Sequence, residues 1–181
     1  SGGPASVLDA GSPDLDPAIL DVGRPVLAIC YGLQLIAHRL GGVVEKADER
    51  EFGRALLKIE RDDPLFAGAV GPERQVWMSH GDRVLRLPEG FVVLGRSENS
   101  PFAAVRHATR PIWGVQFHPE VTHTEGGAEI LTRFVRDICG ARGVWTMQAF
   151  IDEETLRIRE RVGPGRVVCG LSGGVDSSVA A

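Results

Sequence analysis

The sequence predicts an α/β protein built on an open sheet of mixed strand direction. Short apolar, β-prone runs alternate with segments whose apolar residues recur at helical spacing, and the 23 glycines and 11 prolines separate these segments with turns. Hydrophobic residues make up 43% and charged residues 24% of the 181 positions, a balance typical of a globular protein with a buried core. The length favours one domain, or one domain and part of another.

The composition argues against several classes of function. No window approaches the roughly 18 consecutive apolar residues that a membrane-spanning helix needs. The net charge is −4, and no Lys/Arg block provides the basic surface that sequence-independent nucleic-acid binding requires. The three cysteines are far apart and form no CxxC pair, so neither a disulfide framework nor a zinc site is indicated. We therefore expect a cytoplasmic protein with no membrane or nucleic-acid partner.

The first predicted unit is a strand, a tight turn and a helix. Residues 26–29 form a short apolar run after Pro25, which is typical of a buried parallel strand. Residues 33–40 place apolar side chains at helical spacing, and two glycines then provide a helix stop. Cys30 lies at the junction, where a sharp turn exposes a side chain at the N-terminus of a helix.

Further strands and two more helices follow this unit. Apolar spacing predicts a helix over residues 125–138, which closes a first domain at about residue 143, and another over 147–161. A strand at 167–171 then begins a second α/β unit, so we expect domains 1–143 and 144–181. The other predicted strands are residues 55–59, 75–78, 91–94, 103–105 and 112–117.

Cys30 is the first candidate for chemistry. At such a junction the helix dipole and free N–H groups favour a thiolate, and the N–H of Tyr31 points toward a developing oxyanion. A lone cysteine is more often a small buried hydrophobic residue than a nucleophile, so the catalytic interpretation needs partner residues. His118 follows a predicted strand, and Glu120, two residues on in extended chain, faces the same way and can accept its hydrogen bond. Taken alone, each of these residues could have a purely structural role. Together, Cys30, His118 and Glu120 predict a nucleophile, a base and an orienting carboxylate.

A loop rich in glycine and serine is the second candidate. Residues 171–178 (LSGGVDSS) come after a predicted strand and before the apolar start of a helix, which is the setting of a phosphate-binding loop. The loop lacks the lysine of a Walker A motif. A Gly/Ser turn without a ligand is the alternative.

The motifs around Cys30 and His118 resemble those of the class I, triad-type glutamine amidotransferases. The matching stretches are residues 30–34 (CYGLQ) and 116–120 (QFHPE). The resemblance implies a flavodoxin-like open sheet with a nucleophile elbow, and a glutaminase in which the cysteine attacks the side-chain amide of glutamine. Because residues 1–4 (SGGP) resemble the family's oxyanion loop, it also implies an oxyanion hole formed by the N–H groups of Gly3 and Tyr31.

The same resemblance implies which residues bind glutamine. Gln34 matches a position that helps hold the substrate. Residues 77–82 (WMSHGD) resemble the segment that binds the α-amino and carboxylate end, which makes Ser79 and Asp82 candidates. A hydrogen-bonded turn is the alternative reading of His80 and Asp82.

The second loop resembles that of the ATP-pyrophosphatase family, whose domain has an adenine-nucleotide α-hydrolase-like α/β fold. The order of the two motifs resembles glutamine-dependent synthetases that adenylate xanthosine 5′-monophosphate (XMP) and aminate it. This implies ATP as co-substrate, Mg²⁺, no prosthetic group, and a homodimer formed through a domain outside this chain; no metal ligand can be assigned. The residues implied to bind ATP are Ser172, Gly173, Gly174, Val175, Asp176, Ser177 and Ser178.

On this interpretation the chain is a fragment, with the first strands of the amidotransferase domain missing and the synthetase domain truncated. Two alternatives remain: an amidotransferase serving another synthetase, and a non-catalytic fragment of the same fold. The loop at 171–178 argues against the first. The joint presence of Cys30, His118 and Glu120 argues against the second.

Overall fold

The computed structural model describes residues 1–67, 73–143 and 145–180. The chain divides into two compact units, Ser1–Ala141 and Arg142–Ala181. The first unit is an α/β structure with a mixed sheet, as the sequence predicts. Its strands are β1 (Val26–Ile29), β2 (Val43–Ile59), β3 (Glu73–Arg86), β4 (Phe91–Arg96), β5 (Ala104–His107) and β6 (Ile112–Val115). Its helices are α1 (Ala18–Asp21), α2 (Tyr31–Arg39) and α3 (Gly127–Arg133), with a 3₁₀ turn at Pro64–Phe66 and a π-helical turn at Phe134–Ile138.

The six strands lie in the order β1-β6-β5-β4-β2-β3. β1 and β6 are parallel, and the other neighbouring pairs are antiparallel. In the parallel pair Ile29 lies opposite Val115, so both strands end at the same edge of the sheet. The chain segments that carry Cys30 and His118 therefore leave the sheet side by side.

The β2–β3 pair is much longer than the two short strands predicted there. It extends from Val43 opposite Arg86 to Lys58 opposite Glu73, with an irregularity between Lys46 and Glu51. Residues 77–82 lie inside β3, so the turn reading of that segment is wrong. Side chains alternate along β3 between buried and partly exposed, because successive residues of a strand face opposite sides. The buried series contains Arg74, Val76, Met78, His80, Asp82 and Val84.

Two apolar clusters cover the sheet. The first includes the buried face of α2, with Leu33 and Ile36, and the second includes Leu57, Phe117 and Ile130. A β-carbon at Gly114 of β6 would lie 2.5 Å from Cδ1 of Leu33, so only glycine allows α2 this close to the sheet. This close packing places the N-terminus of α2 at the sheet edge.

The helix predicted over 125–138 is divided. Regular α-helix extends only over α3, and the chain continues as the π-helical turn. The apolar spacing is correct, because Ile130, Phe134 and Ile138 all pack in the second cluster.

The second unit contains two helices, α4 (Met147–Val162) and α5 (Val175–Ala180). Thr146 caps α4 by accepting a hydrogen bond from the N–H of Ala149 at 3.0 Å. The predicted strand at 167–171 is wrong: the segment is irregular, and Val168 is 97% exposed. A strand needs a neighbour for its backbone hydrogen bonds, and residues 145–180 contain no other strand. None of the helices in the described part of the chain has the length and apolarity to cross a membrane.

Candidate active site

Cys30 sits in a strained turn between β1 and α2. Its φ is 51°, and it is the one non-glycine residue with positive φ in the described ranges. Such a conformation costs on the order of 1–3 kcal/mol and is typical of functional turns. Its N–H donates to the carbonyl of Val115 at 2.8 Å, and its side chain is buried, with 3% exposed. The thiol donates to the carbonyl of Ser79 at 3.6 Å, which places the sulfur between β6 and β3.

Hydrogen bonds of its backbone groups hold His118 in position. Its N–H donates to the carbonyl of Trp77 at 2.9 Å, and its carbonyl accepts from Oγ1 of Thr124 at 2.6 Å. Thr124 in turn accepts from the N–H of Trp77 at 3.0 Å, so the loop after β6 is tied to β3. Pro119 and Glu120 lie in a turn, not in the extended chain expected from the sequence.

The imidazole of His118 has two different neighbours. Nδ1 lies 2.6 Å from Oε1 of Glu120, so it donates to that carboxylate. Nε2 is buried and has no hydrogen-bond partner of regular geometry among the residues that the structure describes. The Cys30 sulfur is the group left for Nε2 to interact with.

The charge of His118 is strongly favoured. Its interaction with the Cys30 thiol, and then that with the Glu120 carboxylate, raises the pKa of His118 to about 9, although burial acts in the opposite direction. The imidazole is therefore positively charged at neutral pH. A cation beside a thiol favours the thiolate, which is the nucleophilic form of cysteine.

Gly2 brings the N-terminal segment between these two residues. A β-carbon there would lie 2.7 Å from Cε1 of His118 and 3.6 Å from Cβ of Cys30. Gly2 therefore packs against the side chains of both Cys30 and His118. Gly2 was not among the predicted site residues; the Gly-Gly pair is visible in the sequence, but only Gly3 was expected to act.

Six of the residues predicted for the amidotransferase site share one cleft of about 640 Å³. Cys30 and His118 line it, together with the remaining candidates Gly3, Gln34, Ser79 and Asp82. Tyr31 and Glu120 are not among the lining residues. The Tyr31 hydroxyl donates to the carbonyl of Pro13, and as the first residue of α2 its N–H has no intrahelical acceptor.

A hydrogen bond connects the side chain of Gln34 to the backbone of Asp82. Nε2 of Gln34 donates to the backbone carbonyl of Asp82 at 2.8 Å, so this amide connects α2 to β3. Oδ2 of Asp82 is buried and has no partner within the described ranges. A buried carboxylate oxygen of this kind is costly unless a cation or a donor reaches it, and Asp82 lines the cleft. Ser79 contributes its carbonyl to the thiol, as described above.

The predicted ATP-contacting residues are consecutive in the second unit: the first three lie in an exposed loop, and the other four form the start of α5. Gly173 has a φ of 80°, which only glycine adopts easily, and α5 begins with Val175 and Asp176. The three hydroxyls are used within the loop: Ser172 and Ser177 are 3.0 Å apart, and Ser177 and Ser178 both donate to the carbonyl of Gly174. These hydroxyls would have to turn away from Gly174 to donate to a phosphate.

Across residues 1–67, 73–143 and 145–180, no three His, Cys, Asp or Glu side chains come together as a potential metal site. The loop around Asp176 therefore offers a metal ion at most isolated ligands.

An α/β sheet that presents a cysteine, a histidine and a carboxylate at one edge is typical of thiol-dependent acyl-transfer enzymes. The sequence assigns a family within that class. The profile described as glutamine amidotransferase class I matches residues 1–138, and the chain belongs to this family.

Several curated relatives of this chain carry the same name. Proteins named GMP synthase [glutamine-hydrolyzing] from Mesorhizobium japonicum and Lactococcus lactis subsp. lactis are 54% and 57% identical to it, over 100% and 99% of its length. A protein of the same name from Brucella melitensis is 54% identical. The chain spans about a third of these relatives, 35% for the first two.

Solved structures agree with the family. A putative GMP synthase subunit from Thermoplasma acidophilum is 34% identical, with a TM-score of 0.63 over 76% of this chain and 64% of its own. A glutamine amidotransferase from Thermotoga maritima is 26% identical, with a TM-score of 0.53 over 80% of this chain and 54% of its own.

Proposed function

We propose that this chain is the glutaminase part, with the start of the synthetase part, of a glutamine-hydrolysing GMP synthase. In this ligase of purine biosynthesis, ammonia from glutamine aminates XMP to GMP while ATP is converted to AMP and diphosphate. Identity of 54–57% to proteins of that name, along essentially the whole chain, supports the assignment. The observation that carries the glutaminase step is the juxtaposition of Cys30 and His118, whose side chains flank Gly2 and line one cleft.

The reaction begins with attack of the Cys30 thiolate on the side-chain amide carbon of glutamine. The carbonyl oxygen becomes an oxyanion, which the N–H groups of Tyr31 and Gly3 stabilise. His118 donates its Nε2 proton to the amide nitrogen, the C–N bond breaks, and ammonia leaves. His118 then takes a proton from water, which attacks the thioester and releases glutamate with the thiolate restored.

Glu120 acts through the imidazole and does not touch the substrate in this scheme. Its hydrogen bond to Nδ1, at 2.6 Å, directs Nε2 toward the sulfur and stabilises the imidazolium. With 44% of its side chain exposed, the carboxylate is partly screened by water, so its contribution is smaller than that of a buried triad acid.

The amino-acid end of glutamine binds along the wall formed by Gln34, Ser79 and Asp82. The unpartnered carboxylate oxygen of Asp82 accepts hydrogen bonds from the α-ammonium group, which removes the cost of leaving that oxygen unpaired. Gln34 supports the wall by holding the backbone of Asp82.

In the second unit, residues 172–178 contact the phosphates of ATP through backbone N–H groups and serine hydroxyls. Mg²⁺ would supply charge neutralisation for the phosphates when bound. Asp176 is the acidic residue of the loop and would be its carboxylate ligand for the ion.

Two nitrogen sources test this proposal in the full-length protein. Cys30→Ala should abolish GMP formation from glutamine and leave formation from ammonium salts within about twofold of the wild type, because only the glutaminase step needs the thiol. Loss of both activities would overturn the division of labour. GMP formation from neither source in the wild type, with glutamate release intact, would instead favour an amidotransferase of another synthetase.

A further inference from the structure

A buried hydrogen-bonded cluster adjoins the cleft wall and has no part in the scheme described so far. It joins Glu51 of β2, His80 of β3 and Ser100 of the loop between β4 and β5. Oε2 of Glu51 lies 3.1 Å from Nε2 of His80 and 3.0 Å from Oγ of Ser100. The side chains of His80 and Glu51 are 3% and 10% exposed. His80 also lines the cleft, so the cluster connects three elements to the wall.

The two ring nitrogens of His80 have different partners. Its Nδ1 lies 2.9 Å from the backbone carbonyl of Asp82, which can only accept, so Nδ1 carries a proton. Its Nε2 faces the Glu51 carboxylate, which also accepts. Burial raises the pKa of Glu51, but hydrogen bonds from His80 and Ser100 outweigh it and lower the pKa overall, which keeps that carboxylate ionised. The ring of His80 is therefore held at both nitrogens, by the Asp82 carbonyl at Nδ1 and by the Glu51 carboxylate at Nε2.

The backbone of Asp82 is held from two sides. Its carbonyl accepts from Nδ1 of His80 at 2.9 Å and from Nε2 of Gln34 at 2.8 Å. These donors belong to β3 and α2, so the peptide cannot rotate without breaking one of the two bonds. The backbone that carries the Asp82 carboxylate, with its unpartnered Oδ2, is therefore held in place at the cleft.

We propose that Glu51, His80 and Ser100 form a positioning network that orients Asp82 for the amino-acid end of glutamine. The inference rests on the proposed glutaminase function. Glu51 and Ser100 hold the imidazole, the imidazole holds the Asp82 carbonyl, and the Asp82 carboxylate holds the substrate. Among the described residues, the hydrogen bonds of these three side chains go to one another and to Asp82, not to Cys30 or His118, so we expect the network to act on substrate binding and to leave the reactivity of the thiol unchanged.

Kinetics of ammonia release from glutamine by the full-length protein test this inference. His80→Ala should raise KM at least about tenfold and lower kcat less than about threefold, because binding is lost without loss of the nucleophile. The rate of Cys30 alkylation by iodoacetamide, which does not use the amino-acid end, should stay within about twofold. His107→Ala, a histidine on β5 that does not line the cleft, is the matched control and should leave KM unchanged.

A pair of conservative variants separates positioning from packing. The amide nitrogen of asparagine can replace Nδ1 of histidine, whereas that of glutamine replaces Nε2. His80→Asn should therefore keep KM closer to that of the wild type than His80→Gln. Ser100→Ala removes one hydrogen bond to Glu51 but leaves the contact between Glu51 and His80 in place, so it should raise KM by only about threefold. It carries the test if His80→Ala does not fold, as judged by thermal unfolding.

The outcomes are distinct. Equal effects of the asparagine and glutamine variants, an unchanged KM, or a fall in kcat and in alkylation rate that matches the rise in KM would each overturn the positioning role. A wild-type protein that releases no ammonia from glutamine would overturn the proposed function instead.

Discussion

Gly2 packs directly against the imidazole of His118, since a β-carbon on Gly2 would lie 2.7 Å from Cε1. The N-terminal segment thus limits where the ring can lie. It does so directly beside Cys30, whose Cβ is 3.6 Å from the same point. Any side chain at Gly2 must move either the segment or the ring.

Gly2→Ala should therefore lower kcat for glutamine hydrolysis at least about tenfold, because small displacements of a catalytic base are costly. Gly170→Ala is the matched control, because a β-carbon there meets no atom within 4 Å. Steady-state kinetics measure the effect. A kcat equal to that of the wild type would show that the segment yields and that the contact has no catalytic consequence.

The charge of His118 should make stability pH-dependent. Its pKa in the fold, about 9, lies above the ordinary histidine value of 6.5, so the protonated form is favoured by folding. The stabilisation is complete below about pH 6.5 and is lost as pH rises through about 9. Denaturant unfolding of wild type and His118→Asn from pH 6 to 10 should show a difference that shrinks by about 1–3 kcal/mol across that range. A constant difference would contradict this assignment.

Replacing the Glu120 carboxylate should lower the pKa of His118. Glu120→Gln keeps an oxygen that can accept from Nδ1 but removes the negative charge, and we expect kcat to fall about tenfold. The rate of Cys30 alkylation by iodoacetamide near neutral pH should fall, because a less stable imidazolium favours the thiolate less. Glu129→Gln, a change on α3 of another exposed glutamate, is the control. An alkylation rate identical to that of the wild type would mean that Glu120 does not act on the imidazole.

Tyr31→Phe should loosen the N-terminal segment that contains Gly3. The buried hydroxyl donates to the carbonyl of Pro13, and its loss should destabilise the protein by about 1 kcal/mol and lower kcat by a few fold. Arg39→Gln breaks an exposed ion pair with Asp14 in the same segment and should cost less than about 0.5 kcal/mol. Thermal unfolding and kinetics together check the order of the two effects. A larger loss of stability and of kcat in Arg39→Gln than in Tyr31→Phe would mean that the ion pair of Arg39 is the main contact holding the N-terminal segment.

Asp176→Ala should impair GMP formation from glutamine and from ammonium salts alike, at least about tenfold, because both routes need ATP. Glutamate release without ATP should be unchanged, which serves as an internal control. If only the glutamine-dependent route were impaired, the loop would act on the glutaminase and not on ATP.

Local patterns predicted the elements around the site. The apolar run before Cys30 and the helical spacing after it correspond to β1 and α2, and the mixed sheet was expected. The apolar pattern did not predict the full length of β2 and β3. These strands are long because their backbones hydrogen-bond to each other, even along polar residues such as His80. The pattern failed again at residues 167–171, where an apolar run has no strand beside it.

By itself, the sequence determined the family and the identity of the reactive groups, because motifs such as CYGLQ and QFHPE combine a nucleophile, a base and an acid with local turn geometry. Only the tertiary structure decided which residues meet. Glu51, His80 and Ser100 come together, as do Gly2 and His118, through contacts between segments 20 to 116 residues apart. Such contacts depend on strand order and register, which leave no local signature in a single sequence.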